Sequence, residues 1–256
     1  MPETALGHAL RRDRRLVVSA LLLITALSLG YTFWLATGFD MSGMMTPGFE
    51  PWSVTHFAFM LAMWVVMMIG MMTPSVTPMV LLYMAIARQN AAREPRFAPA
   101  GWFVAGYLVA WTAFAAVATL LQWLLESRAV VVPMMAGASR ALGGAALMLA
   151  GIYQWLPLKQ SCLSQCRAPL SFVQRHGGFQ SSARGSLRLG LLHGAYCIGC
   201  CWTLMALLFA FGVMNLLWIA GLMVFVLLEK TLPHARFVTR ASGVALLVAG
   251  IAMILA

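Results

Sequence analysis

Seven apolar stretches, each near the length that crosses a bilayer, divide this chain and leave little sequence between them. Charged residues make up 9 % of the chain, against roughly 25 % in a soluble domain. So little charge cannot cover a water-facing surface, and the solvent for most side chains must be lipid. A span needs about 20 apolar residues, so 256 residues accommodate seven spans with short loops. The predicted fold is all-α: a single polytopic transmembrane helical bundle over residues 1–256, with its N-terminus cytoplasmic and its C-terminus extracytoplasmic.

The expected spans run from Leu16 to Thr37 (an uncleaved signal anchor behind Arg11, Arg12, Arg14 and Arg15), Val54 to Ala87, Ala98 to Leu125, Met134 to Leu156, Leu187 to Gly212, Leu216 to Leu228, and from beyond Arg240 to Ala256. Residues 38–53 read as a Met-rich extracytoplasmic loop, and residues 157–188 as a basic cytoplasmic loop containing two cysteines. Glu126, Arg128 and Pro133 read as outer loop. On this arrangement 15 of the 17 Lys and Arg residues are inside, the asymmetry that orients membrane helices. The net charge of +10 therefore serves topology. No basic face carries interleaved aromatics, so no nucleic-acid partner is expected. The five cysteines are an odd set and none lies in an outer segment, which argues against a secreted disulfide framework.

Nineteen methionines are too many to be background. In the second span His56, Met60, Met63, Met67 and Met71 fall within about 80° of arc, a stripe about 22 Å long, with Met68 and Met72 beside it. Thioether sulfur is a soft, neutral ligand suited to Cu(I), and it needs no deprotonation in an apolar setting. The same stripe also reads as a polarizable packing seam. In the preceding loop Asp40, Met41, Met44 and Met45 place three thioethers and a carboxylate outside any core, as metal capture or shallow membrane contact. Thr73-Pro74 and Thr77-Pro78 are expected to break the span, since proline removes a backbone donor.

The fifth span carries His193, Cys197, Cys200 and Cys201 within about 100° of arc. One imidazole and up to three thiols on one helix face are soft-metal or redox chemistry, or small buried hydrophobes. Cys162 and Cys166 stand four apart in the inner loop; if that segment is helical, their sulfurs share a side, with Arg167 adjacent to favour thiolate. Reduced surface cysteines are the other reading of that pair. Glu229, beside Lys230, reads as a ligand, a proton site or an ion-paired interfacial residue. His176 and His234 read as loop residues.

The ordered set Trp64-x2-Met67-x3-Met71-Met72-x-Pro74-x3-Pro78, Lys159-x2-Cys162-x3-Cys166-Arg167-x-Pro169, Gly199-Cys200-Cys201-Trp202-x2-Met205, Gly212-x-Met214-Asn215 and Glu229-Lys230 resembles a bacterial family of integral membrane proteins of unknown function, described as predicted metal-binding. The resemblance implies a multi-pass protein of the bacterial cytoplasmic (inner) membrane. It supplies no substrate and no reaction.

The residues and the resemblance together point first to Cu(I) binding and transfer. Methionine lies outside, a methionine stripe crosses the membrane, and His and Cys lie deeper. The implied partners are the lipid bilayer, the metal ion, and a partner copper protein or periplasmic metal carrier. A membrane thiol–disulfide conduit through Cys197–Cys200 and Cys162–Cys166 is the second reading, which requires the two pairs to approach. A copper or haem oxidase or monooxygenase subunit using His56 and His193 is the third, with few histidines in the spans to support it. A structural subunit is the fourth. No catalytic set is legible.

Overall fold

The computed structural model describes residues 18–34, 52–91, 100–128, 140–178, 182–213, 215–232 and 235–255. These form α1 (Val18–Trp34), α2 (Val54–Ala91), α3 (Ala100–Ser127), α4 (Arg140–Tyr153), α5 (Pro157–Arg167), α6 (Pro169–Arg175), α7 (Ala183–Phe211), α8 (Leu216–Thr231) and α9 (Ala235–Leu255). Each of the seven expected apolar runs contains one helix. Among the described residues there is no strand.

By length and composition α2, α3, α7 and α9 can each cross a membrane. The α4–α5 pair, bent by 67° at its break, makes a fifth if it is one span; α1 is apolar but shorter. Exposed Leu, Val, Ile and Phe side chains on α1, α3 and α9 form an apolar outer surface of the kind that meets a membrane or another protein.

Small residues set the packing, as lipid-embedded helices require when no water drives association. A Cβ on Gly190 of α7 would lie 1.9 Å from the Phe103 carbonyl oxygen of α3, and one on Gly106 would lie 2.0 Å from the Leu187 carbonyl oxygen. The α3 and α7 backbones therefore touch. On α4 and α9, Gly144, Gly151, Gly243 and Gly250 make a second close seam. Gly212, at φ 95°, ends α7, and the Asn215 side chain caps α8 by accepting from the Leu217 and Trp218 amides.

Three expectations are corrected. First, Pro74 and Pro78 do not break α2, which continues for 38 residues. Side-chain hydroxyls bond to other carbonyls of the same stretch, Thr73 Oγ1 to Ile69, Ser75 Oγ and the Tyr107 hydroxyl to Met72, and Thr77 Oγ1 to Thr73, and the Tyr107 bond ties it to α3. Second, Glu126 is not in an outer loop. It lies in the last turn of α3, accepting from Trp52 Nε1 at 3.0 Å and Gln122 Nε2 at 2.9 Å, while Trp64 Nε1 donates to Gln122 at 2.7 Å. This chain of polar groups ties the C-terminal end of α3 to the N-terminal part of α2. Third, residues 157–188, read as a basic loop, are largely helical among the described residues. They hold α5, α6 and the start of α7, with Lys159, Cys162, Leu163, Phe172 and Val173 buried. Proline at the first position of α5 and of α6 starts each helix where its missing N–H costs nothing.

Candidate thiol site between α5 and α7

Lys159 decides where α5 lies. Its Nζ donates to Glu229 Oε2 of α8 at 2.8 Å, with the two side chains 0 % and 2 % exposed. From residue order Lys159 falls in the inner polar loop and Glu229 stands beside Lys230. Glu229 instead takes its cation from a helix 70 residues away. Arg167, at the other end of α5, donates to the Leu232 carbonyl beyond α8. Both ends of α5 are thus fastened to α8, and its cysteines face α7.

Gly199 makes room for the first of them: a Cβ there would lie 2.8 Å from Cys162 Sγ. The Tyr153 hydroxyl of α4 donates to the Gly199 carbonyl from the same side. Cys166, one turn further along α5, lies beside Cys197 and Cys200 and packs against the buried core. The two cysteine pairs, 31 residues apart in sequence between Cys166 and Cys197, therefore meet in space. Cys162 is buried rather than on the surface, Cys166 is half-buried, and none of the five cysteines is in a disulfide.

On α7 the exposure of His193, Cys197, Cys200 and Cys201 is 2 % or less. The Cys200 and Cys201 thiols donate to the Cys197 carbonyl at 3.1 and 2.9 Å. Cys197 Sγ is the centre of the polar contacts, with Lys230 Nζ of α8 at 2.9 Å and the Tyr107 hydroxyl of α3 at 3.2 Å. Lys230 also donates to Ser75 Oγ of α2 at 3.0 Å. Helices α2, α3, α5, α7 and α8 all reach the cluster.

His193 lies one turn from Cys197 inside an aromatic enclosure. Ring centroids of Phe172, Phe103 and Tyr107 are 5.0, 5.7 and 6.0 Å away, and its Nδ1 has no hydrogen-bond partner among the described residues. Tyr107 links it to the thiols, touching His193 with its ring and Cys197 with its hydroxyl. His176 packs against Phe172 and Tyr196, and its ring Nδ1 hydrogen-bonds with the Phe172 carbonyl oxygen.

Met60, Met63, Met67, Met68, Met71 and Met72 are all essentially buried in the core. His56 is half-buried and stacks on Trp52 at 4.7 Å, with Nε2 lacking a partner among the described residues. Met41, Met44, Met45 and His234 lie outside the described residues. Among those that are described, no three His, Cys, Asp or Glu side chains stand ready-made around a cation position. The geometry supplies one reason: two of the thiols are turned onto a backbone carbonyl and would have to rotate to present sulfur to a metal.

Lys230, Tyr107 and Ser75 were not identified from sequence as part of this site. The signal available for Lys230 was its place in the Glu229-Lys230 pair at the end of an apolar helix. Tyr107 and Ser75 carry no comparable signal, because their role depends on which helices are neighbours.

Nothing among proteins of curated function or among solved structures matches the chain. Residues 61–253, from the methionine stripe through α9, match the family described as PpoB2, copper chaperone. With its thiols, Lys159, Lys230 and most of its length inside that match, this chain belongs to the PpoB2 copper chaperone family.

Proposed function

We propose that the protein is a multi-pass membrane copper chaperone that holds Cu(I) between the thiols of α5 and α7 and passes it to a partner copper protein. The observation that carries this reading is the buried cluster of Cys197, Cys200 and Cys201 on α7, against which α5 packs Cys162 and the half-buried Cys166. Thiolate is the protein ligand best matched to a soft monovalent cation. Rotation of Cys200 or Cys201 away from the Cys197 carbonyl presents a second or third sulfur. Deprotonation accompanies ligation, so each thiol that joins the metal gives up its proton. Membership of a copper chaperone family supports copper as the cargo.

The remaining soft ligands form a graded path. Met41, Met44 and Met45 capture the ion outside. His56 with Met60, Met63, Met67 and Met71 carries it inward as neutral ligands, and the thiols, with His193 nearby, hold it most tightly. Affinity that rises along shared ligands moves an ion only if each site is weak enough to release it.

The topology that goes with this reading has seven spans (α1 to α4 and α7 to α9), with α5 and α6 on the inner side. Lys230 then stands in the last turn of α8, and the thiol cluster lies toward the cytoplasmic helix ends. Reporter fusions are expected to read cytoplasmic at Gly177 and extracytoplasmic at Ala256. A cytoplasmic signal at Ala256 rules out seven spans.

The same convergence favours one rival. A cysteine within reach of a Cys-x-x-Cys pair is the geometry of thiol–disulfide exchange. Exchange leaves the methionines without a role, and this separates the two. In reductant, Cys197→Ser with Cys200→Ser should weaken Cu(I) binding, measured by chelator competition, by no less than the roughly 10–100-fold that loss of a mere supporting residue costs. Changing Met41, Met44 and Met45 together to Leu preserves volume and should slow copper capture. Unchanged Cu(I) affinity in the double Ser variant defeats the copper reading. Loss of all function in Cys197→Ser with copper binding intact points instead to exchange.

A further inference from the structure

Two lysines meet this region, and they do different work. Glu229 is the carboxylate nearest Lys230 in sequence, but its buried contact is with Lys159. That pair is neutral by itself. The donors of Lys230 go to Ser75 Oγ and Cys197 Sγ, two groups that carry no charge unless the thiol is ionised. The half-buried ammonium therefore brings a positive charge to a buried sulfur cluster among five packed helices, where an unbalanced charge is costly.

We propose that Lys230 is a specificity-determining residue, whose fixed charge balances a two-thiolate shell around a monovalent soft cation. The inference rests on the copper-holding reading above. Two thiolates, one Cu(I) or Ag(I) and one ammonium sum to no net charge. A divalent ion in the same two-thiolate shell leaves one positive charge uncompensated. Without Lys230 the order reverses: the divalent ion is neutral in that shell, and the monovalent ion leaves a buried anion. Lys230 thus disfavours Zn(II) electrostatically while it favours Cu(I), and it does so without being a ligand. The metal changes neither its oxidation state nor its charge on binding; it replaces the protons of the thiols that bind it.

The test uses the full-length protein in detergent with reductant and measures Ag(I), Cu(I) and Zn(II) affinities by chelator competition. Lys230→Met should lower monovalent affinity by at least about tenfold and lower the Ag(I)-to-Zn(II) affinity ratio by more than that. Lys230→Arg keeps the charge and should hold the ratio within about threefold of wild type. X-ray absorption of the wild-type Cu(I) complex should show two sulfur neighbours, a readout that does not depend on any variant folding. A wild-type ratio in Lys230→Met, an Arg variant as impaired as the Met variant, or three sulfurs around Cu(I) each overturns the proposal. Wild-type protein that binds neither Cu(I) nor Ag(I) overturns the copper-holding reading itself, and this inference with it.

Discussion

Lys159→Met alone is expected to destabilise the protein by about 3–5 kcal/mol, the cost of leaving one member of a buried ion pair without its partner. Glu229 would be left 2 % exposed beside an apolar side chain, and its Oε1 already lacks a hydrogen-bond partner among the described residues. The double change Lys159→Met with Glu229→Leu removes both charges and should recover most of the loss, because buried pairs add little over well-packed apolar replacements. Thermal unfolding in detergent, followed by size-exclusion chromatography, measures both variants. A single variant as stable as wild type would show that Lys159 is not held in this pair. The functional consequence follows from the position of Lys159 on α5, three residues before Cys162 and seven before Cys166. Releasing Lys159 frees the helix that brings these thiols to α7, so the single variant should also lose Cu(I) binding.

Gly190→Ala is the second large effect. The added methyl carbon would meet the Phe103 carbonyl oxygen at 1.9 Å, and that obstacle is backbone. No side chain can rotate to relieve it, so α3 and α7 must separate by more than 1 Å or the local helix must distort. Overpacking typically costs about 1–3 kcal/mol, and a backbone obstacle places this substitution at or above the top of that range. Separation also pulls the Tyr107 hydroxyl from Cys197 and widens the contact at Gly194, where a Cβ would lie 2.5 Å from Ala110 Cβ. Gly106→Ala should behave alike, since its obstacle is the Leu187 carbonyl oxygen at 2.0 Å. Gly101→Ala and Gly221→Ala are the controls. A Cβ at either meets nothing within 4 Å, so both should be neutral or gain up to about 1 kcal/mol from lower backbone entropy in the unfolded chain. Equal unfolding temperatures for Gly190→Ala and Gly101→Ala would contradict the close α3–α7 contact.

The apolar helices and most of their limits were legible from residue order, because hydrophobicity and the 3.6-residue period are local properties. The same period placed Cys162 with Cys166, and His193 with Cys197 and Cys200, on common faces before any neighbour was known. The burial of Met60 to Met72 followed the stripe in the same way. What residue order did not contain was the partner of each face. Pro74 and Pro78 read as a break because their lost donors are local, while the helix is also held from outside, as by the Tyr107 hydroxyl of α3 on the Met72 carbonyl. Lys159 read as a loop charge because its cost of burial is local and its compensation, Glu229, lies 70 positions away. Cys166 and Lys230 reach Cys197 only because the chain bends by 67° between α4 and α5, which lays α5 on α7, and because α8 packs beside α7. The side-chain chemistry was encoded residue by residue. Its assembly into one cluster was a property of helix packing, in which backbones meet at glycines and buried charges must find each other.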